Sequence, residues 1–237
     1  MNNIIKIRAM LADIPQKPAL GVFFKTSKGS YAEHDVFIGV AVPMLRKVAK
    51  SFCDIALTEI EQLLQSKINE ERLLALIILA DQYKRGNAEL KAQIYQFYIS
   101  NLKYVNNWNL VDSSAHLIIG NHLFEQNREV LLNLAKSDIL WERRTAIVST
   151  WYFIRQSDLL WTFKIAKILL EDSHDLIHKA VGWMLREAGK KDQAALKKFL
   201  DEYASKMPRT MLRYAIEKFD PDVRQHYLKI LPPKELR

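Results

Sequence analysis

The chain has 237 residues, about half of them apolar, which is enough to bury a substantial core, and its lysines and arginines outnumber its aspartates and glutamates by eight. With Cys53 as the single cysteine, an intramolecular disulfide and a cysteine-based zinc site are both excluded, which fits a reducing cytosol, and the basic balance points to an acidic partner, nucleic acid before membrane. The longest apolar run, Leu73 to Ala80, is far too short to span a bilayer, so we expect a cytoplasmic chain (bacterial cytosol or nucleoid) with no membrane and no metal among its partners.

Glycine and proline are sparse, and apolar residues recur at helical rather than alternating spacing almost throughout, so the chain reads as all-α. The first 35 residues are the least regular. Pro43 opens a helix, PMLRKVAKSF, and Thr58 begins another with the capping-box spacing of Thr58 to Glu61. Five segments then resemble one another in pattern, beginning near Asn69, Asn106, Leu140, His174 and Met207, at intervals of roughly 35 residues. Partner helices lie between them: Ala88 to Asn101, Arg128 to Lys136, Leu159 to Leu170 and Gln193 to Ala204. Helix pairs of this length stack as a HEAT-like helical repeat solenoid (an α-α superhelix), here a single domain over residues 1–237.

The repeats place uncommon residues on one face. In the segment from Asn106, Trp108 and Asp112 are four apart and share a side with Asn109 and His116, opposite Leu110, Leu117 and Ile118; Asn106 or Asn107 serves as the cap, which leaves Asp112 one turn inside the helix. In the segment from Leu140, helical pitch groups Arg144, Val148, Trp151 and Arg155 as a stripe away from the core. In the segment from His174, Lys179, Trp183, Arg186 and Lys190 form a stripe opposite Ala180, Val181, Met184, Leu185 and Ala188. Arg209 and Arg213, again four apart, flank the apolar set of the last segment. Equivalent helices of a solenoid lie side by side, so the stripes should merge into one basic surface, the concave one, with three tryptophans and one carboxylate.

Taken singly, each feature has a plainer explanation. A basic helical stripe is most often a solvated face, and a tryptophan is more often packing than ligand contact. An aspartate before two serines most often caps a helix. Recurrence in register weighs against the plain reading. The histidines show no ligand spacing on a helix, and there is no glycine-rich phosphate loop and no nucleophile elbow, so no cofactor is expected.

From about Phe37 to Phe219 the chain resembles the DNA alkylation repair family, the AlkD-type HEAT-like DNA glycosylases. The carrying residues are GVAVPMLRKVAK around Pro43, NNWNLVD ending at Asp112, LWERRTAI containing Arg144, and HKAVGWMLRE containing Trp183. The resemblance implies that Asp112 is the catalytic carboxylate, that Trp108 and Trp183 face the lesion, and that Arg144 belongs to the active site. Where some members carry a second aromatic before the first tryptophan, this chain has Asn107. The implied activity is hydrolysis of the N-glycosidic bond of N3- or N7-alkylated purines in double-stranded DNA by a monomer. The other cations, Lys179, Arg186, Lys190, Arg209, Arg213 and Arg155, with Trp151, would contact the duplex. Two other readings stand beside it: a catalytically silent DNA-binding protein of the same architecture, and a protein–protein scaffold.

Overall fold

A computed structural model describes residues 2–15 and 24–230. The described residues are helical apart from turns, loops and one isolated parallel bridge between Val36 and Ile68. The chain packs as two compact units, residues 1–118 and 119–237.

The first unit holds α1 (Asn3–Ala12), α2 (Val42–Ser51), α3 (Leu57–Leu64), α4 (Asn69–Arg85), α5 (Ala88–Ser100) and α6 (Trp108–Ala115), the last preceded by a 3-10 turn, Leu102–Tyr104. The starts of α1 and α2 have local causes. Asn2 Oδ1 accepts from Ile4 N at 2.8 Å and caps α1, while proline in the first turn of α2 gives up no helical hydrogen bond. α4 packs against α2, α3, α5 and α6, so it is buried on nearly every side, including the four polar residues of its first turn, Asn69, Glu70, Glu71 and Arg72. The expected Thr58 capping box is displaced: α3 starts at Leu57, and Glu59 rather than Glu61 reaches back, accepting from Ala56 N at 3.2 Å. Thr58 therefore lies inside the first turn rather than at the cap.

α6 runs on through a π-helical stretch, His116–Gly120, and one further turn, Asn121–Leu123. The second unit continues with α7 (Val130–Ala135), α8 (Leu140–Arg155), α9 (Leu160–Ile168), α10 (Asp175–Lys191), α11 (Gln193–Tyr203), α12 (Arg209–Ala215) and α13 (Pro221–Lys229). α8 packs on α7, α9 and α10, and α10 packs on α8, α9, α11 and α12. Each unit therefore has a row of successively packed helices (α2, α4, α6 in the first; α8, α10, α12 in the second) with partner helices between them in sequence, which is a helical repeat. The row helices approach closely at glycine. A Cβ on Gly182 of α10 would lie 2.5 Å from Met211 O and 2.5 Å from Tyr214 Cβ of α12, and one on Gly120 would lie 2.1 Å from Ser149 O of α8.

Among the described residues, no helix is long and apolar enough to cross a membrane, and no group of three or more His, Cys, Asp or Glu could hold a metal ion.

Candidate functional site

The first unit presents Trp108 and Asp112 from the first two turns of α6, both half-buried, on the side of the helix opposite the buried Leu110. Asn107 occupies the cap position, but its side chain makes no cap hydrogen bond; its Nδ2 instead donates to Asp35 Oδ2 at 2.6 Å. The indole of Trp108 is held on an edge and on a face: Nε1 donates to Tyr31 Oη at 3.1 Å, and the ring stacks on Phe24 with centroids 4.9 Å apart and planes 16° from parallel. Phe24 stacks in turn on Phe37 at 4.5 Å. The buried hydroxyls of Tyr98 on α5 and Ser114 on α6 lie 2.7 Å apart. Burial pushes the Tyr98 phenol up from its ordinary value of 10, against the Ser114 hydrogen bond and with help from the Asp112 charge. His116, expected on the open face, is buried at the start of the π-helical stretch.

In the second unit, Trp151 of α8 and Trp183 of α10 are both half-buried and meet edge to face, with centroids 4.9 Å apart and planes at 63°. The Arg155 guanidinium lies 5.1 Å from the Trp151 ring centroid, within cation–π range, and Arg155 itself is exposed. Trp151, Arg155 and Trp183 thus form a basic aromatic cluster. The rest of the expected α8 stripe is corrected. Val148 is fully buried and Arg144 is 5% exposed, since α8 is packed on α7, α9 and α10 and has little face left for solvent. Arg144 Nη1 donates to the Leu176 carbonyl at 2.6 Å, at the start of α10.

The α10 cations lie on the expected side, but each faces a carboxylate. Lys179 Nζ is 2.6 Å from Asp175 Oδ2, Arg186 pairs with Glu217, and Lys190 Nζ lies 2.7 Å from Glu187 Oε1. The Lys179 hydrogen bond is the main cause holding the Asp175 carboxyl below its usual 3.8. Arg209 is engaged as well, donating to Leu228 O at 2.7 Å and Ile230 O at 3.1 Å at the end of α13, whereas Arg213 is exposed on α12.

Several residues around Trp108 were not singled out from the sequence: Phe24, Tyr31, Asp35 and Arg72; Asn69, Asn107 and Asn109 entered only as a segment start, a cap and a neighbour on the Trp108 side. The signal was faint but present, in the run of polar residues from Asn69 to Arg72 directly before the apolar run Leu73 to Ala80, and in the asparagines on both sides of Trp108.

The chain matches the model of a protein family described as DNA alkylation repair enzyme over residues 9–219. It is also similar to a solved structure described as a predicted DNA alkylation repair enzyme from Enterococcus faecalis, with a TM-score of 0.66 and 17% sequence identity, covering 87% of this chain and 98% of that one. At that identity the likeness speaks for the fold. No curated protein sequence matches the chain.

Proposed function

Because the chain belongs to the DNA alkylation repair enzyme family, we propose that it is a DNA glycosylase that releases N3- and N7-alkylated purines from duplex DNA, acting as a monomer without a cofactor. Alkylation at these ring nitrogens leaves the purine positively charged, which weakens the bond from the base to C1′. The base can then depart with the bonding electron pair and without protonation, and catalysis reduces to stabilising the positive charge that develops on the sugar. In this reading the Asp112 carboxylate faces C1′, orients the attacking water and takes its proton as the new C–O bond forms. Trp108 offers a π-face to the cationic nucleotide; in the second unit Trp183 offers aromatic surface to the duplex, and Arg155, Arg213 and the α10 cations hold phosphates without reading sequence.

The observation that carries the proposal is the pairing of Asp112 with Trp108 one turn apart on α6, both of them partly open to solvent and with the indole fixed at its edge and face. The test is single-turnover release of 7-methylguanine from methylated duplex, wild type beside Asp112→Asn. We expect release by wild type, loss of at least about 100-fold in the variant, and unchanged affinity for duplex. Near-normal release by Asp112→Asn would remove the assigned role.

A second reading, a catalytically silent DNA-binding protein, is favoured by one observation: Arg144 is buried and bonded to a backbone carbonyl. Duplex binding without base release by wild type would select it.

A further inference from the structure

The side chain of Asp35 is fully buried, and four nitrogen-bearing groups converge on it. Oδ2 accepts from Asn69 Nδ2 at 2.8 Å and from Asn107 Nδ2 at 2.6 Å; Oδ1 accepts from Arg72 Nη2 and lies 3.2 Å from His34 Nε2. A lone carboxylate in such a place would be strongly penalised, and here a guanidinium and two amides compensate it. Arg72 in turn donates to Ser66 O at 2.9 Å, so the cluster joins the irregular segment before α2 to the start of α4.

The cluster also reaches α6 on both sides of one residue. Asn107 precedes Trp108 and bonds Asp35; Asn109 follows Trp108 and bonds Asn69, its Nδ2 donating to Asn69 Oδ1 at 2.7 Å. The same irregular segment supplies the groups that touch the indole itself, Tyr31 at its edge and Phe24 on its face. The end of that segment nearest α2 is fastened to the start of α4. Val36 N donates to Lys67 O at 3.1 Å, Asn69 N donates to Val36 O at 2.8 Å, and Glu70 accepts from Ile38 N and Gly39 N.

Asn107 makes this tether at the expense of ordinary capping. An asparagine in the cap position usually accepts from the first N–H groups of its helix. Here Nδ2 is turned to Asp35, and among the described residues the buried Oδ1 has no hydrogen-bond partner. A residue serving only the helix would be turned the other way.

We propose that Asp35 is a positioning residue, which through Asn107 and the Asn69–Asn109 pair sets the pose of Trp108 and with it the placement of Asp112 toward the substrate. The inference rests on the reading of Trp108 and Asp112 as substrate-contacting groups.

Asp35→Asn leaves buried donors facing one another and is liable to unfold, so the deciding variant is Asn107→Ser. Serine is a good helix cap but is too short to reach Asp35, and the new cap offsets the lost hydrogen bond, keeping the melting temperature within about 5 °C. The indole N–H resonance of Trp108, assigned with Trp108→Phe, reports the pose directly. In Asn107→Ser we expect that resonance to move and saturating single-turnover release of 7-methylguanine to fall about 10- to 100-fold, with affinity for undamaged duplex unchanged. An unmoved resonance, or a moved one with unchanged release, overturns the proposal. If wild type releases no base, the glycosylase reading fails, and the resonance alone decides whether Asp35 sets the indole pose: movement in Asn107→Ser upholds that link and an unmoved signal ends it.

Discussion

The guanidinium of Arg144 donates to the backbone carbonyl of Leu176 at 2.6 Å, which ties the first half of α8 to the first turn of α10. A carbonyl has two lone pairs, so this bond can add to the one it makes within its own helix. Arg144→Ala should therefore destabilise the fold by about 1–3 kcal/mol, besides any effect on base release. Thermal unfolding of the variant checks this, and an unchanged melting temperature would mean that the bond contributes nothing. Kinetics of the variant should be compared with wild type well below both transitions.

Gly182 stands directly before Trp183, at the point where α10 and α12 touch. A methyl there would meet Met211 O and Tyr214 Cβ, both at 2.5 Å, and a backbone oxygen cannot swing aside as a flexible side chain can. Gly182→Ala should push the two helices apart and lower stability by about 1–3 kcal/mol, although alanine favours helix over glycine by roughly 1 kcal/mol elsewhere. Denaturant unfolding separates the two effects: a stabilised variant would show that the gap opens freely. The displaced Trp183 ring should also leave its edge-to-face contact with Trp151, visible in near-ultraviolet circular dichroism.

The helical repeat was legible in the sequence because it is a periodic property: the starts of α4, α6, α8, α10 and α12 all fall within a few residues of the positions that hydrophobic spacing and punctuation predict. The Trp108 and Asp112 pairing followed from the same pitch. What pitch could not convey is how many neighbours each helix has. Helical spacing separates an apolar side from a polar one, but α8 is enclosed by three helices, so Val148 and Arg144 on its polar side are buried all the same. The Asp35 cluster escaped for a different reason. It joins residues 35, 69, 72 and 107 across an irregular segment, and no local pattern encodes contacts of that separation.

His174 caps α10 with a ring nitrogen: Nδ1 accepts from Leu176 N at 3.1 Å, which requires that nitrogen to be unprotonated. Its folded pKa is lowered from 6.5, by desolvation first, with Arg143 assisting and Asp172 opposing. A lowered value means that the unfolded chain binds the proton more readily. The stabilisation is therefore complete above pH 6.5 and is lost as pH falls through the folded pKa. His174→Asn keeps a capping acceptor that does not titrate, so its melting temperature should fall less than that of wild type over this interval. His122, also lowered by desolvation, should keep part of the acid sensitivity in both proteins. Parallel pH profiles for the two would mean that the His174 cap survives protonation.

Arg209 and Arg213 lie one turn apart on α12 and look equivalent in sequence, but their surroundings assign them different work. The Arg209 guanidinium is spent on the last carbonyls of α13, at Leu228 and Ile230, where a cation also complements the helix dipole; Arg213 is exposed and available to a phosphate. Each phosphate contact releases condensed counterions and adds about 0.9 to the slope of log affinity against log salt for duplex DNA. Arg213→Ala should therefore flatten that slope by roughly one and leave the melting temperature alone. Arg209→Ala should lower stability by about 1 kcal/mol and change the slope much less. Titrating undamaged duplex at several salt concentrations, alongside thermal unfolding, separates the two. Equal slope changes would show that Arg209 leaves α13 to meet DNA, and no slope change in either would place the phosphate contacts away from α12.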